Sequence, residues 1–186
     1  MTVVATAGHV DHGKSTLVQR LTGTDPDRWS EEQDRGMTID LGFAAMTLPS
    51  GALCEFVDVP GHIRFLKNML AGAGSVRGCL FVVDAAEGWK PQSEEHLRVL
   101  ELLDVEAGVV ALTKAATLSP DEIELAELDV TEHLEGTMLE SAPLVVTDAI
   151  AGVGMDELLV ALDELVTRLG EPVDRGRARM WIDRAF

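Results

Sequence analysis

Short apolar runs alternate along the chain with segments in which hydrophobic residues recur at every third or fourth position. An apolar run bounded by turn residues predicts a buried strand, whereas the wider spacing predicts an amphipathic helix. The predicted strands are Val3–Ala7, Leu41–Leu48, Leu53–Val57, Gly78–Val83, Gly108–Leu112 and Leu144–Val146. The predicted helices are Thr16–Thr22, Ile63–Ala73, Gln92–Leu103, a helix that begins at Ser119 and Pro120, and Met155–Leu169. Strands that alternate with helices imply parallel βαβ units, so the pattern predicts an α/β fold with a doubly wound, mostly parallel sheet.

Turn residues and breaks in the pattern refine this outline. Pro49-Ser50-Gly51 separates the second and third predicted strands and indicates an antiparallel hairpin. Residues 24–40 are polar and without periodicity, which predicts a long loop. Glu171–Arg179 breaks the alternation and is interpreted as a linker. Met180–Phe186 begins a new strand-like run and then stops, which indicates a piece of a longer protein.

Composition and charge exclude several classes of protein. The 186 residues are 46% hydrophobic, which suits one compact domain, and no apolar run approaches the roughly 18 residues that a membrane span needs. The net charge of −17 argues against a general nucleic-acid binder, since phosphates would be repelled. Cys54 and Cys79 lie in apolar runs and are predicted to be reduced core residues. The N-terminus shows no secretory signal, so we expect a cytoplasmic protein.

The strongest chemical motif is Gly8-His9-Val10-Asp11-His12-Gly13-Lys14-Ser15, which matches G-x-x-x-x-G-K-[ST] between a predicted strand and a predicted helix. This arrangement wraps backbone N–H groups around a phosphate at a helix N-terminus. Lys14 is expected to reach the β- and γ-phosphates, and the Ser15 hydroxyl is expected to bind Mg²⁺. The fold is therefore predicted to be a P-loop NTPase with a six-stranded sheet and helices on both faces.

Three further motifs fit a nucleoside-triphosphate site. Asp58 ends an apolar strand and is followed by Pro60 and Gly61, so its carboxylate could hold Mg²⁺ through water while the Gly61 N–H approaches a γ-phosphate. Thr38 lies between the P-loop and Asp58, where it could complete the Mg²⁺ shell only when the γ-phosphate is present. In Thr113-Lys114, which follows a strand, the stem of Lys114 could lie over a base ring.

The histidines are interpreted without a metal. His9 and His12 are expected to be loop residues, because a Zn²⁺ site needs more ligands than the sequence places nearby. His96 lies beside Glu94 and Glu95 and is expected on the solvent-exposed face of its helix.

Taken together, the motifs GHVDHGKS, RGMTIDLGF, DVPGH, KNMLAGAG, PQSEEH and LTK resemble those of the translational GTPases. The resemblance covers essentially the whole chain and is strongest to the selenocysteine-specific elongation factors. GMTIDLGF, the terminal WIDRAF and the 22 residues between Ser15 and Thr38 carry that closer resemblance.

The resemblance implies a GTP-binding domain over 1–170, followed at 171–186 by a linker and the first strand of a truncated β-barrel domain. It implies Mg²⁺ held by Ser15, Thr38 and Asp58, and a monovalent cation near Asp11. His62 would position the attacking water when the ribosome docks, so slow intrinsic GTP hydrolysis is expected. The nucleotide-binding positions that it implies are His9, Val10, Asp11, His12, Gly13, Lys14, Ser15, Thr16, Thr38, Asp58, Gly61, Thr113, Lys114, Asp148 and Ala149.

The partners implied are GTP and GDP, the ribosome, and selenocysteinyl-tRNA with an mRNA hairpin, the last two through domains mostly absent from this chain. A monomer without membrane contact is expected. Two alternatives stay open: the GTP-binding domain of a Tu- or initiation-type factor for another tRNA, and a regulatory nucleotide-binding module with altered base specificity.

The sequence departs from the family pattern at the base-binding motif. That motif normally ends in Asp, whose carboxylate accepts hydrogen bonds from guanine, but position 116 is Ala. The last nucleotide loop usually contains Ser-Ala and here contains Asp148-Ala149. Either Asp148 supplies the missing carboxylate from the neighbouring loop, or it faces solvent and base selectivity is relaxed. Ile63 also stands where Glu is usual, which puts ribosome-linked activation in doubt.

Overall fold

The computed structural model describes residues 1–26, 42–58 and 76–170. Several predicted features lie outside these segments. They are most of the loop 24–40, the helix Ile63–Ala73, the linker Glu171–Arg179 and the strand-like run Met180–Phe186.

Six strands form one sheet in the described residues, with the order β2-β3-β1-β4-β5-β6. The strands are β1 (Thr2–Ala7), β2 (Gly42–Thr47), β3 (Leu53–Asp58), β4 (Val76–Asp84), β5 (Ala107–Thr113) and β6 (Leu144–Val146). β2 and β3 pair antiparallel, as the hairpin predicts, and all other neighbours pair parallel. The predicted mostly parallel, six-stranded sheet is confirmed.

Helices cover both faces of this sheet. The helices of the described segments are α1 (Lys14–Thr22), α2 (Pro91–Leu102), α3 (Pro120–Leu134) and α4 (Met155–Leu169). On one face, α1 and α4 pack residues such as Leu17 and Leu162 onto β1, β3, β4 and β5. On the other face, α2 and α3 do the same with residues such as Leu100 and Val130. Strands buried on both sides carry near-continuous apolar runs, which is why the strand pattern was readable from sequence.

The start of α3 follows its predicted signal. Ser119 accepts a hydrogen bond from the backbone N–H of Glu122, and the Glu122 carboxylate accepts one from the Ser119 N–H. Pro120 occupies the first helical position, where its missing N–H costs nothing. This capping box fixes the direction in which the chain leaves the loop after β5.

Both cysteines lie in the core. Cys54 and Cys79 are fully buried free thiols, and burial raises the pKa of each to about 12. The prediction that they are reduced core residues is confirmed. Within the described segments, none of the helices is both long and apolar enough to cross a membrane.

The topology brings the carboxyl ends of five strands to one edge of the sheet. β1 lies between β3 and β4, and the carboxyl ends of these parallel strands point the same way. In an open α/β sheet, ligands bind at this edge where the chain crosses from one face to the other. The carboxyl ends of β1, β3, β4, β5 and β6 therefore supply the candidate site.

Candidate functional site

The phosphate loop joins β1 to α1 and depends on two glycines. A Cβ at Gly8 would lie 2.1 Å from the carbonyl oxygen of Val82, and Gly8 has a φ of 130°. Gly13 caps α1 with a φ of 90° and has no side-chain capping bond. The N-terminal amides of α1 are suited to bind an anion.

Lys14 begins α1 inside this loop. The residue is buried, and its Nζ donates a hydrogen bond to the carbonyl oxygen of His9 at 2.7 Å. The ammonium group is therefore held over the loop, where a phosphate bound to the loop amides would meet it. This is the position that the motif predicts for a phosphate-binding lysine.

A hydroxyl and a carboxylate meet beside Lys14. Ser15 Oγ donates to Asp58 Oδ2 at 2.6 Å, and Thr6 Oγ1 donates to Asp58 Oδ1 at 2.5 Å. Asp58 is fully buried at the end of β3. Hydroxyl and carboxylate oxygens are the ligands that Mg²⁺ prefers, so the pair fits this ion. Sequence reasoning missed Thr6, whose only signal is a polar residue near the end of an apolar strand.

The phosphate loop is also held by α2. The Gly8 N–H donates to His96 Nδ1 at 3.1 Å, and the Val10 N–H donates to Gln92 Oε1 at 3.3 Å. His96 is only 1% exposed, so the expectation of a solvent-facing histidine is wrong. The expectation was based on the acidic neighbours Glu94 and Glu95, but a residue one position away on a helix points about 100° elsewhere. The better signal was the helical spacing from His96 to the apolar residue Leu100.

His12 packs beneath the phosphate loop as a neutral ring. The Asp84 N–H donates to His12 Nδ1 at 3.2 Å, so Nδ1 carries the lone pair and the neutral ring has its proton on Nε2. Burial first, and then the charge of His9, lower the pKa of His12 to about 4. Ligand atoms of His9, His12 and Glu87 lie within 4.8 Å of one another. Because His12 turns its lone pair toward Asp84, this group does not offer a three-ligand metal site.

The last residue of β5 contacts the phosphate loop, and the residue after it contacts β4. Thr113 Oγ1 donates to the His12 carbonyl oxygen at 2.7 Å. Lys114 adopts a left-handed backbone with a φ of 58°, and its Nζ lies 2.7 Å from Asp84 Oδ2. The Lys114 side chain is about half exposed, which leaves its stem open to a planar ring.

Asp84 organises this region, although sequence reasoning did not select it. Its Oδ1 accepts the N–H groups of Ala86 and Glu87, and Oδ2 pairs with Lys114. Burial alone would raise the pKa of Asp84, but these three donors hold the pKa below its ordinary value. The available signal was an acidic residue directly after a buried strand.

Asp148 follows β6 and reaches the loop of β5. Its Oδ1 accepts the N–H groups of Ile150 at 3.0 Å and Ala151 at 2.8 Å. Its Oδ2 accepts the N–H of Ala116 at 3.3 Å. A carboxylate thus lies against position 116, where the family pattern expects one, although it comes from another loop.

The other predicted site residues divide into two groups. Asp11, with a φ of 62°, and Thr16 are exposed on the phosphate loop and α1, and Ala149 follows Asp148. The residues whose predicted roles lie outside the described segments are Thr38, Gly61, His62 and Ile63.

These features define a P-loop domain with a nucleotide-type site at the carboxyl edge of its sheet. The family model described as the Elongation factor Tu GTP binding domain matches residues 1–168. The chain belongs to this family of translational GTPases, and the resemblance drawn from its motifs is confirmed.

Within this family, the chain is similar to selenocysteine-specific elongation factors. The chain is 43% identical to a selenocysteine-specific elongation factor of Desulfomicrobium baculatum, over 99% of this chain and 29% of that protein. It is 45% identical to the selenocysteine-specific elongation factor of Escherichia coli (strain K12), over 99% of this chain and 30% of that protein. The crystal structure of a bacterial selenocysteine-specific elongation factor, EF-Sec, superposes with a TM-score of 0.85 at 40% identity, covering 90% of this chain and 29% of that one. The chain thus spans less than a third of the length of these relatives.

Proposed function

We propose that this chain is the GTP-binding and GTP-hydrolysing domain of a translation elongation factor that delivers selenocysteinyl-tRNA to the ribosome. The observation that carries the GTPase proposal is the 2.6 Å contact between Ser15 Oγ and Asp58 Oδ2, beside Lys14 and the helix N-terminus. Triphosphate chemistry needs a Mg²⁺ site, an ammonium group and backbone N–H groups together, and this edge of the sheet provides all of them.

The described residues would hold the nucleotide as follows. Loop amides from Asp11 to Ser15 would bind the phosphates, with Lys14 neutralising negative charge on the β- and γ-phosphate oxygens. Ser15 and Asp58 would hold Mg²⁺, Asp58 through water. When bound, this ion supplies charge neutralisation between the phosphates. Thr6 would orient the Asp58 carboxylate through its 2.5 Å hydrogen bond.

The remaining roles rest on the resemblance and are part of the same proposal. Thr38 would add a third Mg²⁺ ligand and Gly61 a γ-phosphate contact, so that two loops become ordered only with GTP. His62 would orient the attacking water. Ile63, which stands where the family usually has Glu, would affect how the ribosome triggers hydrolysis. Asp11, exposed on the phosphate loop, would face a monovalent cation.

The proposal extends to the whole factor. High identity to two selenocysteine-specific factors over 99% of this chain supports the choice of cargo. Residues 1–170 would form the GTP-binding domain, and 171–186 would lead into a β-barrel. The factor would act as a monomer in the cytoplasm, and other domains would contact the tRNA and the mRNA hairpin.

Single-turnover GTP hydrolysis tests the GTPase proposal on the chain itself. We expect Mg²⁺-dependent GTP binding and slow release of inorganic phosphate. Lys14→Ala should abolish binding, because its ammonium group faces the phosphates. Arg98→Ala is the matched control, since Arg98 is an exposed cation on α2 that pairs only with Glu94 and Glu101 among the described residues. Equal activity in both variants would contradict the proposal.

The cargo is tested by exchange of domains. A chimera in which this chain replaces the corresponding domain of the Escherichia coli selenocysteine-specific factor should support selenocysteine insertion at a reporter codon. The same chimera carrying Lys14→Ala should not. A chimera that binds GTP but fails in this assay would favour a Tu- or initiation-type factor.

A further inference from the structure

We propose that Asp148 reads the guanine base in place of residue 116, and that it does so through one carboxylate oxygen. The inference rests on the proposed function, because it concerns the base of the nucleotide bound at that site. It departs from the family pattern, in which the carboxylate comes from the loop after β5.

Asp148 lies where the base is expected. The resemblance to the translational GTPases implies that the base binds where the loops after β5 and β6 meet, and those loops are residues 114–119 and 147–154. Asp148 is the only carboxylate in either loop. Its Oδ2 lies 3.3 Å from the Ala116 nitrogen, so it occupies the space beside the position from which the family carboxylate would project.

The Asp148 carboxylate is already held in place before a ligand binds. The N–H groups of Ile150 and Ala151 hold Oδ1, and that of Ala116 holds Oδ2. Three backbone donors from two loops determine its rotamer, so little side-chain entropy is lost on binding. A solvent-facing aspartate would not bridge the two loops in this way.

The lone pairs of the Asp148 carboxylate limit how many hydrogen bonds it can accept from a base. A carboxylate accepts about four hydrogen bonds, two on each oxygen. Oδ1 accepts two amides and Oδ2 accepts one, so among the described residues one lone pair of Oδ2 remains for a base. A carboxylate with both oxygens open could accept the guanine N1–H and 2-amino group together, whereas Asp148 can accept only one of them.

Different bases then give different outcomes. Guanine and hypoxanthine both offer the N1–H, and they differ only in the 2-amino group. Adenine has a lone pair at N1, which a carboxylate oxygen repels. We therefore expect GDP and IDP to bind within about threefold of each other, and ADP to bind at least about a hundredfold more weakly.

Competition against a fluorescent GDP analogue in Mg²⁺ tests this order with the wild-type chain. IDP that binds more than about tenfold more weakly than GDP would overturn reading by one oxygen, because a charge-assisted hydrogen bond is worth about that factor or more. Equal competition by GDP, IDP and ADP would overturn base reading by Asp148 altogether.

Two variants assign the effect to the residue. Asp148→Ser, which installs the usual family residue, should weaken GDP about tenfold or more and strengthen ADP, because the carboxylate that repels adenine N1 is removed. Adding Ala116→Asp to that variant should restore GDP affinity and create discrimination of about tenfold against IDP, because both oxygens of the new carboxylate would be open. The rescue separates base reading from a merely structural role of Asp148 in its loop.

Failure of this inference can be distinguished from failure of the proposed function. If Asp148→Ser binds GDP as the wild type does, Asp148 does not read the base, while the proposed GTPase function stands. If the wild-type chain shows no Mg²⁺-dependent GDP binding, the proposed function fails and the inference fails with it. Should Asp148→Ser not fold, the wild-type order of GDP, IDP and ADP still decides the question.

Discussion

The hydroxyl of Thr113 donates a 2.7 Å hydrogen bond to the carbonyl oxygen of His12, and this bond joins the end of β5 to the phosphate loop. Both residues are buried. The contact couples the part of the site that would hold the base to the part that would hold the phosphates.

Thr113→Val should therefore destabilise the fold and weaken GDP binding together. Valine keeps the shape but removes the donor to a buried carbonyl, at a cost of about 1–3 kcal/mol in the free energy of unfolding. Urea unfolding and calorimetric GDP titration measure the two effects. Thr113→Ser keeps the hydroxyl and serves as the control. A valine variant as stable as the wild type would show that the bond contributes nothing.

The buried ring of His12 should make stability depend on pH. Its pKa is lowered from 6.5 to about 4. Between these pH values, His12 binds a proton in the unfolded chain but not in the folded chain. The free energy of unfolding should then fall as the pH drops from 6.5 toward 4, by up to about 1.4 kcal/mol per pH unit. Urea unfolding of wild type and His12→Asn at about pH 7 and about pH 5 measures this contribution.

The His12→Asn variant should lose less stability than the wild type between these two pH values, because it has no ring to titrate. Equal pH dependence of stability in the wild type and in His12→Asn would contradict the assignment to His12.

A methyl group at Gly8 should be far more damaging than one at Gly51, which also has a positive φ. The Cβ would lie 2.1 Å from the Val82 carbonyl oxygen, so Gly8→Ala should cost at least about 3 kcal/mol of unfolding free energy. Gly51 has a φ of 85° but no atom within 4 Å of its Cβ position. Gly51→Ala should cost only about 1–2 kcal/mol from backbone strain. Equal losses by thermal and urea unfolding would contradict the close approach of β1 and β4.

Much of the fold was predictable because it depends on local patterns. α4 and β6 have the predicted bounds, Met155–Leu169 and Leu144–Val146, since burial of one helical face and of a short apolar run marks both ends. β4 extends over Val76–Asp84 and is longer than the predicted Gly78–Val83. Its ends are set by pairing with β1 and β5, and hydrophobicity alone does not show that pairing.

The site was predictable where a motif fixes the spacing, and not where the topology brings distant residues together. Lys14 and Ser15 follow from the phosphate-loop motif, and Asp58 from its own short pattern. Thr6 lies 52 residues from Asp58, and His96 lies 88 residues from Gly8. No pattern within one element reports such contacts, because they depend on which strands are neighbours in the sheet.

We propose that Ser15 and Asp58 form the Mg²⁺ site of a guanine-nucleotide pocket, and calorimetric GDP titration with and without Mg²⁺ tests this proposal most directly. The wild type should gain about tenfold or more in GDP affinity from Mg²⁺, and Ser15→Ala should lose most of that gain. Thr22→Ala is the matched control, because it removes a hydroxyl from the same helix that bonds only to Val18 and Thr24 among the described residues. A wild-type affinity that does not respond to Mg²⁺, or a full response in Ser15→Ala, would contradict the account.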